Sequence, residues 1–277
     1  MRDRALWLLP LLLAAACGRL DFKQGRHLEN TGQPERALKS YERFISRNPG
    51  GPLEAEALVR AARIYARAFG RCDRAVPLFE RAARLASASQ AGPQQANDWP
   101  AAAREEILSC PDYFPIRSGA RWVYVDSESG GKNMRLKLDV SGAGAKAHVQ
   151  GAYYAGENRF REYSRSCEKK DWTVWEVEGG DRAPILRYPF RAGSAWTARV
   201  GDRTINYEIE DASASVRVKA GGFFDCLKVR AHPSGEPAWV VDYYCPGVGR
   251  VKMAIGEPKG EHPNTELSEY SIPGPQN

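Results

Sequence analysis

The side chains best able to do chemistry in this 277-residue chain are its six cysteines. Catalysis needs a nucleophile beside its base, a pair of carboxylates, or a metal cluster. None of these is spelled out by spacing. His27, His148, His232 and His262 are scattered with no motif around them. Ser234 and Gly235 fall in a predicted hairpin turn, and Glu257 and Glu261 lie in a Gly/Pro-rich stretch that reads as solvated charge. There is no C-x-x-C pair, so a zinc site is not expected. The sequence therefore predicts no enzyme, no metal and no cofactor. What remains is thiol chemistry: acylation of one cysteine and oxidation of others.

Cys17 is the cysteine set up for acylation. Arg2 and Arg4 give a basic start, Ala5 to Leu13 an apolar core containing Pro10, and Ala14 to Ala16 a small-residue cleavage site. That is the pattern of a bacterial secretory signal. Its apolar core is about half of the roughly 20 residues needed to span a bilayer. A cysteine directly after the small residues resembles the lipobox of bacterial lipoproteins, whose cleaved N-terminal Cys carries acyl chains. The resemblance implies that residues 1–16 are removed and that residues 17–20 form a lipidated N-terminus. Two or more acyl chains give stable anchoring where one is marginal. Gly18 is uncharged, unlike the acidic signal that retains lipoproteins in the inner membrane of enteric bacteria. The expected location is the cell envelope, on the outer membrane facing the periplasm. Nucleic acid is not an expected partner there, and the five remaining cysteines meet oxidising conditions in which they can pair.

The elements that position these thiols fall into two halves. Residues 21–110 have apolar positions three and four apart and read as helices, while residues 111–277 read as short alternating strands. The helical half is mildly basic: residues 18–110 hold 15 Lys or Arg against 11 Asp or Glu, and 13 of the 15 are Arg. Arginine grips carboxylates and phosphates in a fork, so such a surface suits acidic peptides or lipid headgroups.

Within the helical half a pattern recurs. Gly32, Ala37 and Tyr41 in one stretch are answered by Gly70, Ala75 and Phe79 in the next, and the first stretch adds Gly25 in its first helix and Pro49 after its second. Gly32 and Gly70 can take the left-handed conformation that ends a helix, and Ala37 and Ala75 are small enough for close helix approach. These residues resemble the tetratricopeptide repeat, a helical hairpin of 34 residues, although Arg63 departs from its small-residue position. Stacked repeats hide their apolar ends against neighbours. A helix around Ala101–Ser109 is therefore expected to cap the second hairpin after a linker from Gln90 to Pro100. If it runs antiparallel to the helix starting near Cys72, Cys110 arrives beside Cys72 and the two form a disulfide; otherwise both are buried thiols. In the family the first helices of the hairpins line the concave face. Mapped here, that face carries Phe22, Arg26, Glu29, Asn30, Arg60, Ile64 and Arg67, a mixture suited to an extended acidic peptide, a partner's helix, or the chain's own second domain.

The second half predicts about a dozen strands with no room for crossover helices, hence an antiparallel curved sheet, open barrel or sandwich. The fold class expected for the chain is α+β multidomain. Pro115, Gly119 and Trp122 are echoed by Pro189, Gly193 and Trp196, which suggests a duplicated half-sheet. A turn centred on Gly235 and Glu236 sets Cys226 opposite Cys245, as a cross-strand disulfide; a register one residue off would point them to opposite faces. Cys167 is left alone. The Pro…Gly…Trp motif, with the segment from Phe223 to Lys252, resembles a β domain of many bacterial envelope lipoproteins, the DUF3108-like group. That resemblance implies fold and location and carries no catalytic residues. The expectation for function is a membrane-anchored scaffold or assembly factor that binds an envelope protein or peptide through its helical repeats. A lipid or other apolar ligand inside the β domain is the alternative, with glycan binding on exposed aromatics a third.

Overall fold

The computed structural model describes residues 9–85, 98–143 and 146–274, with side chains from Arg19 onward. The acylation expected at Cys17 and residues 90–97 of the expected linker fall outside the described side chains, while its last residues, Trp99 and Pro100, are corrected to the first turn of a helix. The chain divides into two compact units, Met1–Cys110 and Pro111–Asn277. It is an α+β protein: helices first, then an all-antiparallel β unit.

The helical unit contains α1 (Leu9–Asn30), α2 (Pro34–Arg47), α3 (Glu54–Arg63), α4 (Cys72–Arg84) and α5 (Trp99–Glu106). A π-helical turn over Ile64–Ala68 extends α3. Gly32 and Gly70 have φ of 70° and 63°, the left-handed values that let α1 and the π turn stop and reverse. Ala37 and Ala75 are completely buried, as close hairpin packing requires. Cys72 and Cys110 form a disulfide that staples the end of α5 beside the start of α4.

Gly25 is indispensable for another reason. A Cβ there would lie 2.7 Å from the Tyr41 ring. Tyr41 is fully buried and donates a 2.6 Å hydrogen bond to Glu29, so it has little room to give. Gly25→Ala is expected to cost about 1–3 kcal/mol, read as a lower denaturation midpoint. An unchanged midpoint would show that Tyr41 can move.

The β unit is a single twelve-stranded antiparallel sheet in the order β6-β5-β4-β3-β2-β1-β12-β11-β10-β9-β8-β7. The strands are β1 (Arg121–Asp126), β2 (Arg135–Ala143), β3 (Lys146–Ala155), β4 (Asn158–Lys170), β5 (Thr173–Glu178), β6 (Asp181–Arg187), β7 (Ala195–Val200), β8 (Arg203–Val218), β9 (Gly221–Pro233), β10 (Trp239–Cys245), β11 (Gly249–Glu257) and β12 (Gly260–Ser271). Each strand pairs with its sequence neighbours except β6 with β7, and β1 pairs with β12, so the sheet curls into a nearly closed barrel open between β6 and β7. Across that gap the Trp196 indole N–H donates to the Pro184 carbonyl at 2.9 Å.

Expectations of separate strands at 205–211 and 215–219 are corrected. They form one strand, β8, with three register shifts between Ile209 and Val216. The Asp211–Ser213 segment that reads as a break is a bulge that bends the strand. The echoed motif makes matching backbone hydrogen bonds around its glycine in both copies. Gly119 N–H bonds Val140 O and Gly193 N–H bonds Ile209 O, while Ala120 bonds Arg117 O and Ser194 bonds Arg191 O. Each copy opens a run of six strands, β1–β6 and β7–β12, the arrangement a duplicated half-sheet produces. Cys226 and Cys245 are disulfide-bonded between β9 and β10, and Cys167 is a buried free thiol.

Candidate functional site

The helical face is assembled from α1, α3 and α5. Glu29 on α1 accepts from Tyr41 and lies 2.9 Å from the Arg60 guanidinium, which also holds Glu56 at 2.8 Å one helical turn away. Arg63 makes a two-toothed contact to Glu106 on α5, and Arg67 reaches the same carboxylate at 3.3 Å. The Arg60 and Arg63 guanidinium groups lie 5.4 and 5.2 Å from the Trp99 ring centroid. Burial, and then the Glu29 carboxylate, raise the Tyr41 phenol far above its ordinary range, so it stays a donor.

Of the residues expected to line this face, Arg26 and Asn30 are exposed and Arg67 is 70 % exposed. Glu29 and Arg60 are brought together as an ion pair. Phe22 and Ile64 are corrected: both are buried, Phe22 against the rings of Tyr41 and Phe44. Apolar groups gain more from the hairpin core than from a wet groove. Glu56, Arg63, Trp99 and Glu106 were not foreseen. Glu56 carried a signal, its i,i+4 spacing to Arg60; Trp99 and Glu106 carried none, because they meet α3 only through the fold.

The β unit holds a second cluster that sequence reasoning missed entirely. The strand registers put Tyr163, Arg165 and Cys167 of β4 on one face with Glu176 of β5, and Asp242 and Tyr244 of β10 on one face with Arg250 of β11. Followed around the sheet, this is the inward face, shared with Trp122, Tyr124, Leu136, Val149 and Leu267. Arg165 is 2.6 Å from Glu176 and 2.8 Å from Glu178, and Arg250 is 3.5 Å from Asp242. The Tyr124 hydroxyl donates to the Arg250 carbonyl at 2.8 Å.

These inward side chains retain some exposure, 21 % for Arg250 and 29 % for Arg165. Solvent therefore reaches this part of the inward face. Two polar atoms, Arg165 Nε and Asp242 Oδ1, have no hydrogen-bond partner within the protein. Burial pushes the Asp242 carboxyl up and, with Glu176 adding to it, moves the Tyr124 and Tyr207 phenols to about 12. Burial likewise pushes up the Cys167 thiol, leaving it a poor nucleophile. The same inward face carries an apolar cluster that includes Ile116, Val140, Ala147 and Val248, with Ala147 paired across the strands with Cys167.

On the outer side, a groove of about 540 Å³ over β2–β4 is lined by Lys137, Asp139, Gln150, Tyr154 and Glu162. Among the described residues no three His, Cys, Asp or Glu side chains gather as a metal site, and no helix is long and apolar enough to cross a membrane.

Three solved structures are similar to part of the chain. A candidate lipoprotein from Parabacteroides distasonis ATCC 8503 is 14% identical, with a TM-score of 0.37 over 57% of this chain and 98% of that one. An exported protein of YmcC-like fold from Bacteroides fragilis NCTC 9343 is 15% identical, with a TM-score of 0.40 and coverage of 57% and 98%. LprF from Mycobacterium bovis is 11% identical, with a TM-score of 0.18 and coverage of 63% and 97%. Likenesses this slight carry no argument about fold or role. No curated protein matches the chain. Residues 22–96 match the tetratricopeptide repeat family model, so the helical unit is similar to that family across both of its hairpins.

Proposed function

We propose that this chain is an acylated cell-envelope protein whose helical repeats bind a partner protein or peptide, and that it catalyses no reaction. One observation carries the reading. The helical unit presents a face in which Glu29 and Arg60 of the repeat-matching hairpins and Glu106 of α5 are locked in ion pairs while Arg26, Asn30 and Arg67 reach solvent. Locked side chains lower the ordering cost of binding, and the solvent-exposed Arg26 guanidinium supplies a fork-shaped donor for a carboxylate. An acidic peptide or an acidic helix face is the matching partner. The lipobox-like Cys17 supports the anchor, and the uncharged Gly18 favours the outer membrane. The Pro…Gly…Trp motif supports membership of the β unit in the envelope β-domain group.

Acidic substitution at two exposed face positions, Arg26→Glu with Asn30→Glu, is expected to weaken partner recovery at least tenfold while leaving stability within about 0.5 kcal/mol, as surface substitutions do. Recovery unaffected by the substitutions would remove the face from the mechanism.

A second reading, carriage of a small molecule in the barrel, is favoured by the solvent that reaches its inward face. Its ion pairs suit a polar ligand better than an acyl chain, because hydrocarbon offers no hydrogen bond to Arg165 Nε or Asp242 Oδ1, which lack a partner within the protein.

A further inference from the structure

The end of the first hairpin nearest Cys17 is both tied down and basic. Asp21, the fourth residue after Cys17, is buried and held by Arg43 at 3.2 Å and Arg47 at 2.8 Å. Phe22 is buried beside it. Residues 18–20 belong to α1, so Cys17 precedes Asp21 by about one helical turn, roughly 6 Å along the axis. That is close to the screening length of about 8 Å at physiological ionic strength.

The surface at this end combines charge with one apolar side chain. Arg19 and Lys23 are exposed on α1, Arg43 and Arg47 are about half exposed on α2, and Leu20 is 65 % exposed between them. The acidic groups at this end of the helices are engaged. Asp21 holds the two arginines, Glu54 pairs with Arg81, Glu56 pairs with Arg60, and Asp98 caps α5. Arg84 adds a further exposed cation at the end of α4.

Resting on the proposed acylation of Cys17, we infer that this end of the first hairpin docks on an anionic phospholipid surface, with Leu20 at the headgroup level. The short connection gives the helical unit a fixed attachment edge instead of a free tether. Basic side chains held at an anionic surface each add roughly a fivefold gain in partitioning.

The test uses the mature acylated chain with Ser46→Cys, between Arg43 and Arg47, carrying an environment-sensitive fluorophore. Vesicles contain phosphatidylcholine alone or with phosphatidylglycerol. The expected result is a blue shift and quenching by lipid-borne quenchers only with phosphatidylglycerol, reduced at least tenfold in extent of contact by Arg19→Glu with Lys23→Glu. A label equally wet on both vesicles would overturn the docking surface. Mass measurement of the same preparation reads acylation separately. If Cys17 is unmodified, the anchor fails, and co-sedimentation of the mature chain with phosphatidylglycerol vesicles decides the surface: salt-sensitive pelleting supports it, and equal pelleting with phosphatidylcholine overturns it.

Discussion

Glu176→Ala is expected to destabilise the β unit by about 2–4 kcal/mol, toward the lower end of what breaking a buried ion pair costs because water reaches the inward face. Glu176 is 11 % exposed and bonded to Arg165, and its charge also reaches Arg250 across the barrel. Removing it leaves two inward guanidinium groups with only Glu178, itself 53 % exposed, and Asp242 as counter-charges. The denaturant midpoint should fall while the slope stays constant, the sign that stability changed and compactness did not. Arg165→Met combined with Glu176→Leu should lose less than the single Glu176→Ala change, since the pair is replaced by apolar volume instead of being broken. A single substitution costing under about 0.5 kcal/mol would place Glu176 in bulk water.

The second large effect concerns the cap. Cys72 and Cys110 are 38 residues apart, and loss of a bridge closing such a loop costs about 4 kcal/mol by the loop-entropy account. Cys72→Ser with Cys110→Ser should also loosen α5, which brings Trp99 and Glu106 to the arginines of α3. Stability and partner recovery should therefore fall together. Loss of stability with full recovery would mean that α5 holds the fold but not the face.

The helical repeats were legible because their signals are local. Gly32, Gly70, Ala37 and Ala75 each report a turn or a close approach within one hairpin. The Cys226–Cys245 bridge was legible for the same reason, since one turn sets both positions. The barrel's closure was not, because β1 and β12 are joined by pairing across the whole domain. Nor was the lumen. In β5 the alternation of Trp175 and Val177 with Glu176 and Glu178 suggests that the acids face out. The register does the reverse: Glu176 turns inward, and Trp175 lies outside beneath the Arg182 guanidinium, 4.0 Å from its ring centroid. Hydrophobic period gives the alternation but not which face is inside once a charged group finds a partner across the barrel. The helical face was half legible: its residues were named, yet the ion pairs that lock Glu29 and Arg60 depend on α1 and α3 meeting.

The account rests on a partner held at the α1–α3 face of an envelope-anchored chain. Photo-reactive amino acids placed at Arg26, Asn30 and Arg67, with Lys39 on α2 as the control, test it in intact cells when adducts are identified by mass spectrometry. The account predicts one recurring protein adduct at the three face positions and none at Lys39. Adducts of lipid alone, or the same yield at all four positions, would contradict it.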